Sequence, residues 1–369
     1  MKIKTITCHD VNNFGASLQA HALMKYLEQT GNDVEIIDYK PDYLSFSLWR
    51  IGDKWSRNPF LKMLYFLYVV PVRLLNYGRR AKFSEFNRKY LKLTDRRYHN
   101  FGELLENPPL ADVYFAGSDQ IWNTGVQNGK DPAFYLDFVP EKSVRASYAA
   151  SFSVSEISVE YKPLVRTLLS KMDFISVREA TGLKILSDLK LEGNHVVDPV
   201  FLLDASYWSA LCRNLYGQKY VFVYDQENNE LIRDVAKKIA RENNWKIVTI
   251  KNLYPLSYAH RRFVDVGPEE FLSLIKNCEV CLTNSFHCTA FSLIFSKEVY
   301  VFKRLREKVN SRMIDLLRMV GLENHVIESA DASIQLHTTD FANVQSVIAQ
   351  KRASSVEYIS SVLNYKKSK

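Results

Sequence analysis

The 369-residue chain is 47% hydrophobic and 24% charged, which excludes a disordered or fibrous protein, and its length exceeds what one core usually supports, so two domains are expected. Five cysteines, odd in number and sparse, exclude a disulfide framework and point to a reducing compartment. The net charge of +8 is concentrated, because eleven Lys and Arg face two acids between Arg50 and Lys92 and the remainder is one unit negative.

Residues Met1 to Thr7 alternate polar and apolar side chains and lack the apolar stretch of a secretory signal, so they read as a first strand of a cytoplasmic protein. Ala20, Leu23, Met24 and Leu27 recur at helical spacing until Gly31, and a second strand follows over Asp33–Asp38. The basic segment 43–92 interrupts the pattern. It includes Trp49, Trp55, Phe60, Tyr65, Phe66 and Tyr68, a mixture that suits either a peripheral hold on an anionic bilayer or an insertion helix with a solvated basic face. Its longest apolar run, Met63–Val72, is short of the roughly 20 residues a spanning helix needs. No nucleic-acid-binding module accompanies the charge, so no nucleic-acid partner is expected.

Strands resume at Asp112–Gly117 and Arg145–Ala150 and complete a first domain over 1–153. A second series, 154–335, carries strands at Asp173–Val177, His195–Val197, Tyr220–Tyr224, Lys246–Ile250, Glu279–Thr283 and Glu298–Phe302 with helical segments between them. The tail 336–369 is one long helical pattern expected to cross back and brace the first domain. The fold class is therefore α/β, with two Rossmann-like, doubly wound parallel domains facing a cleft, and the ligand site should lie in loops after strand carboxyl ends.

Those loops carry the chemistry. After strand one, His9, Asn13 and Gly15 sit where a polar loop opens a helix, either as ligand contacts or as a capped turn. The three-glycine dinucleotide fingerprint is absent. After another strand, Asp119, Gln120 and Trp122 suit a sugar, with the indole under the ring and the polar groups on hydroxyls; a helix cap with a half-buried Trp is the alternative. Arg178 ends a predicted strand, where its planar fork either grips an anion or pairs with Glu179 or Asp198. Ser285 and His287 open a helix and place an anion pocket beside a titratable ring. Cys278, Cys281, His287 and Cys288 lack finger-like separation, so they read as buried thiols with no metal site.

Six ordered blocks, Asn13–Ala20, Gly117–Trp122, Ser147–Ser151, Ile175–Glu179, Asp198–Asp204 and Ser285–His287, resemble the polysaccharide pyruvyl transferase family across nearly the whole chain. One departure is Cys288-Thr289-Ala290, where Gly-Thr is more usual after the histidine. The resemblance implies a glycosyltransferase-like two-domain (GT-B) fold, phosphoenolpyruvate as donor, a sugar hydroxyl pair as acceptor and no cofactor. The family's donor-binding arginine and histidine map by motif onto Arg178 and His287. On that footing Arg178, His287 and the helix start at Ser285 are expected to hold the donor, with help from Lys303 or Arg304. His287 then acts as acid, and Asp119 or His9 as base; His9, Asn13, Gly15, Asp119, Gln120 and Trp122 line the acceptor side. The acceptor would be a cell-surface polysaccharide precursor, lipid-linked in one version and met at the inner face of the membrane through 43–92. A glycosyltransferase using a nucleotide-sugar donor, or a non-catalytic carbohydrate-binding subunit of capsule assembly, are the alternatives.

Overall fold

A computed structural model describes residues 1–44, 58–59, 63, 65–69, 77–250, 256–305, 310–329, 334 and 336–367. Of the basic aromatic segment expected between 43 and 92, residues 45–57, 60–62, 64 and 70–76 lie outside these residues.

Two parallel sheets organise the chain. The first contains β1 (Lys2–Ile6), β2 (Asp33–Tyr39), β3 (Leu93–Tyr98), β4 (Val113–Asp119), β5 (Val144–Ala150), β6 (Ser176–Val177) and β7 (Asn194–His195), in the order β3-β2-β1-β4-β5-β6-β7. The second contains β8 (Tyr220–Tyr224), β9 (Lys246–Ile250), β10 (Arg261–Phe263), β11 (Val280–Thr283), β12 (Glu298–Phe302) and β13 (Val326–Ile327), in the order β10-β9-β8-β11-β12-β13. β8 and β12 are buried along their whole length, as strands covered by helices on both faces must be. In each sheet the order reverses beside the first strand, and the crevice at such a reversal is where open α/β sheets bind ligands.

The expected boundary at 153/154 is corrected. The strands assigned to the start of the second domain pair onto the first sheet, Ala150 with Val177 and Ser176 with Asn194, so the passage between sheets falls after residue 195. The edge of β5 exposes backbone donors and acceptors that need partners; β6 covers it and β7 pairs on β6 in turn. Arg178 therefore belongs to the first sheet, not to the C-terminal half.

Helices at the seam hold the two halves together. Asn13 caps α1 (Phe14–Gln29) by accepting from the Ala16 amide, and Gly31, at φ +83°, lets the chain turn after it. Phe14 stacks on Phe271 at 4.4 Å, and His21 meets the Tyr207 hydroxyl at 2.6 Å. Helix α2 (Tyr77–Tyr90) buries Phe83 and Phe86 at the same seam, and its Lys82 and Lys89 pair with Glu270 and Glu269 of α3 (Pro268–Lys276). The second half also supplies α4 (Phe286–Ile294) and α5 (Ser311–Met319). As expected, the last helix, α6 (Phe341–Asn364), crosses back. Its Gln345 donates to the Leu293 carbonyl of the second half, and its Tyr358 donates to the Ser147 carbonyl of the first.

Candidate active site

The carboxyl ends of β4, β11 and β12 and the starts of α1, α4 and α5 enclose a small polar cavity of about 80 Å³ between the halves. Asn13, Gly15, Asp119 and Gln120 line it from the first half, and Ser285, His287, Arg304 and Arg312 from the second. The starts of α1 and α4 present the positive ends of their helix dipoles, which favours negative charge at both.

Behind this cavity a buried carboxylate joins the two halves. Asp198 Oδ2 lies 2.6 Å from Arg178 Nη1 and 3.5 Å from His287 Nε2, and Arg178 Nη2 lies 3.5 Å from Asp119 Oδ1. At that distance Nε2 of His287 makes no hydrogen bond. Burial opposes ionisation of Asp198, yet His287 and Arg178 outweigh it and hold the carboxyl well below the usual carboxylate range. Burial also disfavours the Arg178 charge, but Asp198, Asp119 and Glu179 override that and raise its pKa. Glu179 accepts from Ser151 Oγ and from the amides of Phe152 and Ser153, which fixes the loop after β5.

Arg312 is different. It is buried, its Nε has no hydrogen-bond partner, and burial together with the charge of Arg178 lowers its pKa to about 10. The Phe286 ring packs against both guanidiniums, with its centre 4.7 Å from that of Arg178 and 5.9 Å from that of Arg312. Arg304 reaches Glu227 at 3.6 Å. Asp119 adopts φ +66°, an uncommon conformation for a residue with a Cβ, at the rim of the cavity.

Asn13, Gly15, Asp119, Gln120, Ser285, His287 and Arg304 thus meet in one cleft. Arg178 does not line this cavity; it is paired behind it with Asp198, one of the two carboxylates that offered the alternative to anion binding. Three expectations are corrected. His9 is fully buried with Nε2 3.2 Å from Asp38 Oδ1, because the loop turns its ring toward β2. Trp122 is fully buried, donates to the Phe134 carbonyl and stacks on Tyr135, because the indole completes the core under the loop instead of facing the cleft. Lys303 is half exposed and pairs with Glu328, because alternation along the chain after β12 sends it outward while Arg304 turns in.

Arg312, Phe286 and the pivot role of Asp198 are new. Arg312 belongs to no motif, although a buried cation in the first turn of a helix opposes the helix dipole and marks an unusual position. The thiols of Cys281 and Cys288 touch at 3.3 Å in the core while His287 turns into the cleft, and no group of three or more His, Cys, Asp or Glu among the described residues could hold a metal ion. No helix among the described residues is long and apolar enough to cross a membrane.

Several solved structures are similar to the chain as a whole at low identity. S. aureus MnaA in complex with UDP is 12% identical, with 97% of this chain and 89% of that one covered and a TM-score of 0.49. The UDP-GlcNAc 2-epimerase of Neisseria meningitidis bound to UDP-GlcNAc is 12% identical, with 99% and 95% covered and a TM-score of 0.48. The UDP-GlcNAc 2-epimerase of Methanocaldococcus jannaschii is 15% identical, with 100% and 94% covered and a TM-score of 0.47. No curated protein sequence matches the chain. The family model of the polysaccharide pyruvyl transferases matches residues 13–304, from the cap of α1 to the cleft arginine after β12, and the chain belongs to that family.

Proposed function

We propose that the cleft binds phosphoenolpyruvate and transfers its pyruvyl unit to two hydroxyls of a sugar in a cell-surface polysaccharide precursor, forming a ketal. The observation that carries this reading is Arg312, a buried guanidinium with an unpartnered Nε on a small polar cavity beside His287 and two helix starts. A compact dianion relieves that unpaired charge, and the cavity leaves little room for a nucleotide.

In this reading Arg304, Arg312 and the amides at Ser285 hold the donor's phosphate and carboxylate. His287 gives a proton to the methylene carbon while positive charge grows at the central carbon. Asp119 takes the proton of the first attacking hydroxyl. The second hydroxyl then displaces phosphate. Of the two hydroxyl protons, one ends in the new methyl group by way of the protein and the other leaves with phosphate. Arg178 acts through Asp198, which orients His287, and does not touch the donor. The reaction changes no oxidation state on the protein, and acid–base groups suffice for it.

Thermal shift distinguishes the donor classes without knowledge of the acceptor. Phosphoenolpyruvate is expected to raise the melting temperature with concentration, and a panel of nucleotide sugars is not. The opposite pattern overturns the reading in favour of a nucleotide-sugar transferase. A peripheral membrane contact through 43–92 belongs to the same proposal. Co-sedimentation with liposomes that contain anionic lipid, and none with neutral liposomes, is the expected result.

A further inference from the structure

A second cavity, of about 260 Å³, lies where β7, α5 and α6 meet, and it shares Arg312 and Phe286 with the first. Phe201, Leu316 and Met319 give it an apolar floor, and Arg312, Asp315 and Ser354 give it polar groups. Three lining residues carry buried atoms without a hydrogen-bond partner: Nε of Arg178 and of Arg312, both donors, and Oδ2 of Asp315, an acceptor. Unmade donors and an unmade acceptor on one cavity call for a ligand group that both accepts and donates, which is what a hydroxyl does. The apolar floor calls for a face of C–H groups. Both properties belong to a pyranose ring.

From this we infer that the second cavity is a sugar subsite, which takes a pyranose unit of the glycan. An anion is the competing occupant, since Arg178, Arg312 and the exposed Lys351 also line the cavity, but Asp198, already paired with Arg178, and Asp315 oppose it. The identity of the ligand rests on the proposed function; the test of the subsite does not. Because Arg312 borders both cavities, sugar and donor are linked, and each changes the affinity of the other by the same factor.

Saturation-transfer NMR on the full chain reads the subsite, with the methyl pyranosides of glucose, galactose, mannose and N-acetylglucosamine as probes. At least one is expected to receive saturation from the wild type. Met319→Trp and Ser354→Trp, which fill the cavity, are expected to cut that transfer at least fivefold. Ser354 is exposed on α6, so its variant carries the test alone if Met319→Trp does not fold. The phosphoenolpyruvate shift of Ser354→Trp is expected to survive. The inference is overturned if no probe binds the wild type, if both filled variants bind as the wild type does, or if inorganic phosphate alone binds in a way that Ser354→Trp abolishes. If sugar binds as expected and phosphoenolpyruvate does not, the donor reading fails and the subsite stands.

Discussion

Gly15 and His287 face each other across the cleft so closely that a Cβ added at position 15 would lie 1.9 Å from the imidazole Nδ1. The glycine is in the first turn of α1 and its φ is not in the left-handed region, so space and not backbone conformation requires it. Gly15→Ala is therefore expected to fold with a loss of about 1–2 kcal/mol, since crowding against the buried ring outweighs alanine's better helix propensity. The ring of His287 must move, and a displacement of about an ångström costs on the order of 100-fold in turnover. Phosphate release measured beside the melting temperature checks this; an active Gly15→Ala protein removes His287 from its assigned role.

Arg312→Met keeps most of the side chain's volume and removes its charge. Arg312 has a lowered pKa, so its charged form disfavours the folded state at every pH below about 10. The variant is expected to match or exceed the wild type in unliganded stability. Its affinity for phosphoenolpyruvate should fall about 10- to 100-fold, the scale of one charged hydrogen bond. Calorimetric titration gives the affinity, and urea unfolding gives the stability.

Asp198→Asn leaves the buried Arg178 without its full counter-charge, and a loss of about 3 kcal/mol or more is expected. The wild-type carboxyl has a native pKa below its unfolded value of about 3.9, so the stabilisation is complete above that pH. It is lost as pH falls from there toward the native pKa. The variant is expected to unfold with a flatter acid limb than the wild type, followed by circular dichroism from pH 6 downward.

Trp122→Phe separates a core indole from a sugar platform. The variant loses the bond to the Phe134 carbonyl and some packing on Tyr135, at a cost of about 1–2 kcal/mol. Its response to phosphoenolpyruvate and to sugar probes is expected to remain. Weaker sugar binding with unchanged stability is the result that returns Trp122 to the cleft.

The alternation of strands and helices was legible because apolar runs bounded by turn residues are local signals, and so were α1, with its cap at Asn13 and its stop at Gly31, and the long last helix. Ownership of strands was not. β6 and β7 are two residues each, and nothing in Ser176-Val177 or Asn194-His195 says which sheet has an open edge for them. Trp122 and His9 misled for a related reason: position after a strand places a residue near the cleft, but side-chain direction depends on packing from elsewhere, here Tyr135 and Asp38. Arg312 was hidden because its burial comes from contacts with distant residues such as Phe286, which no spacing in its own helix records.

The match to the family ends at residue 304, before α6 begins, yet that helix grips both halves at sites thirteen residues apart, roughly 20 Å along its axis. The groups that line the donor cleft, from Asn13 to Arg312, therefore all precede α6, and the brace that keeps them in register is encoded after them. A protein shortened to residue 335 would retain every cleft side chain and lose the tie that sets their spacing, so damage at the far C-terminus can silence chemistry that it never touches.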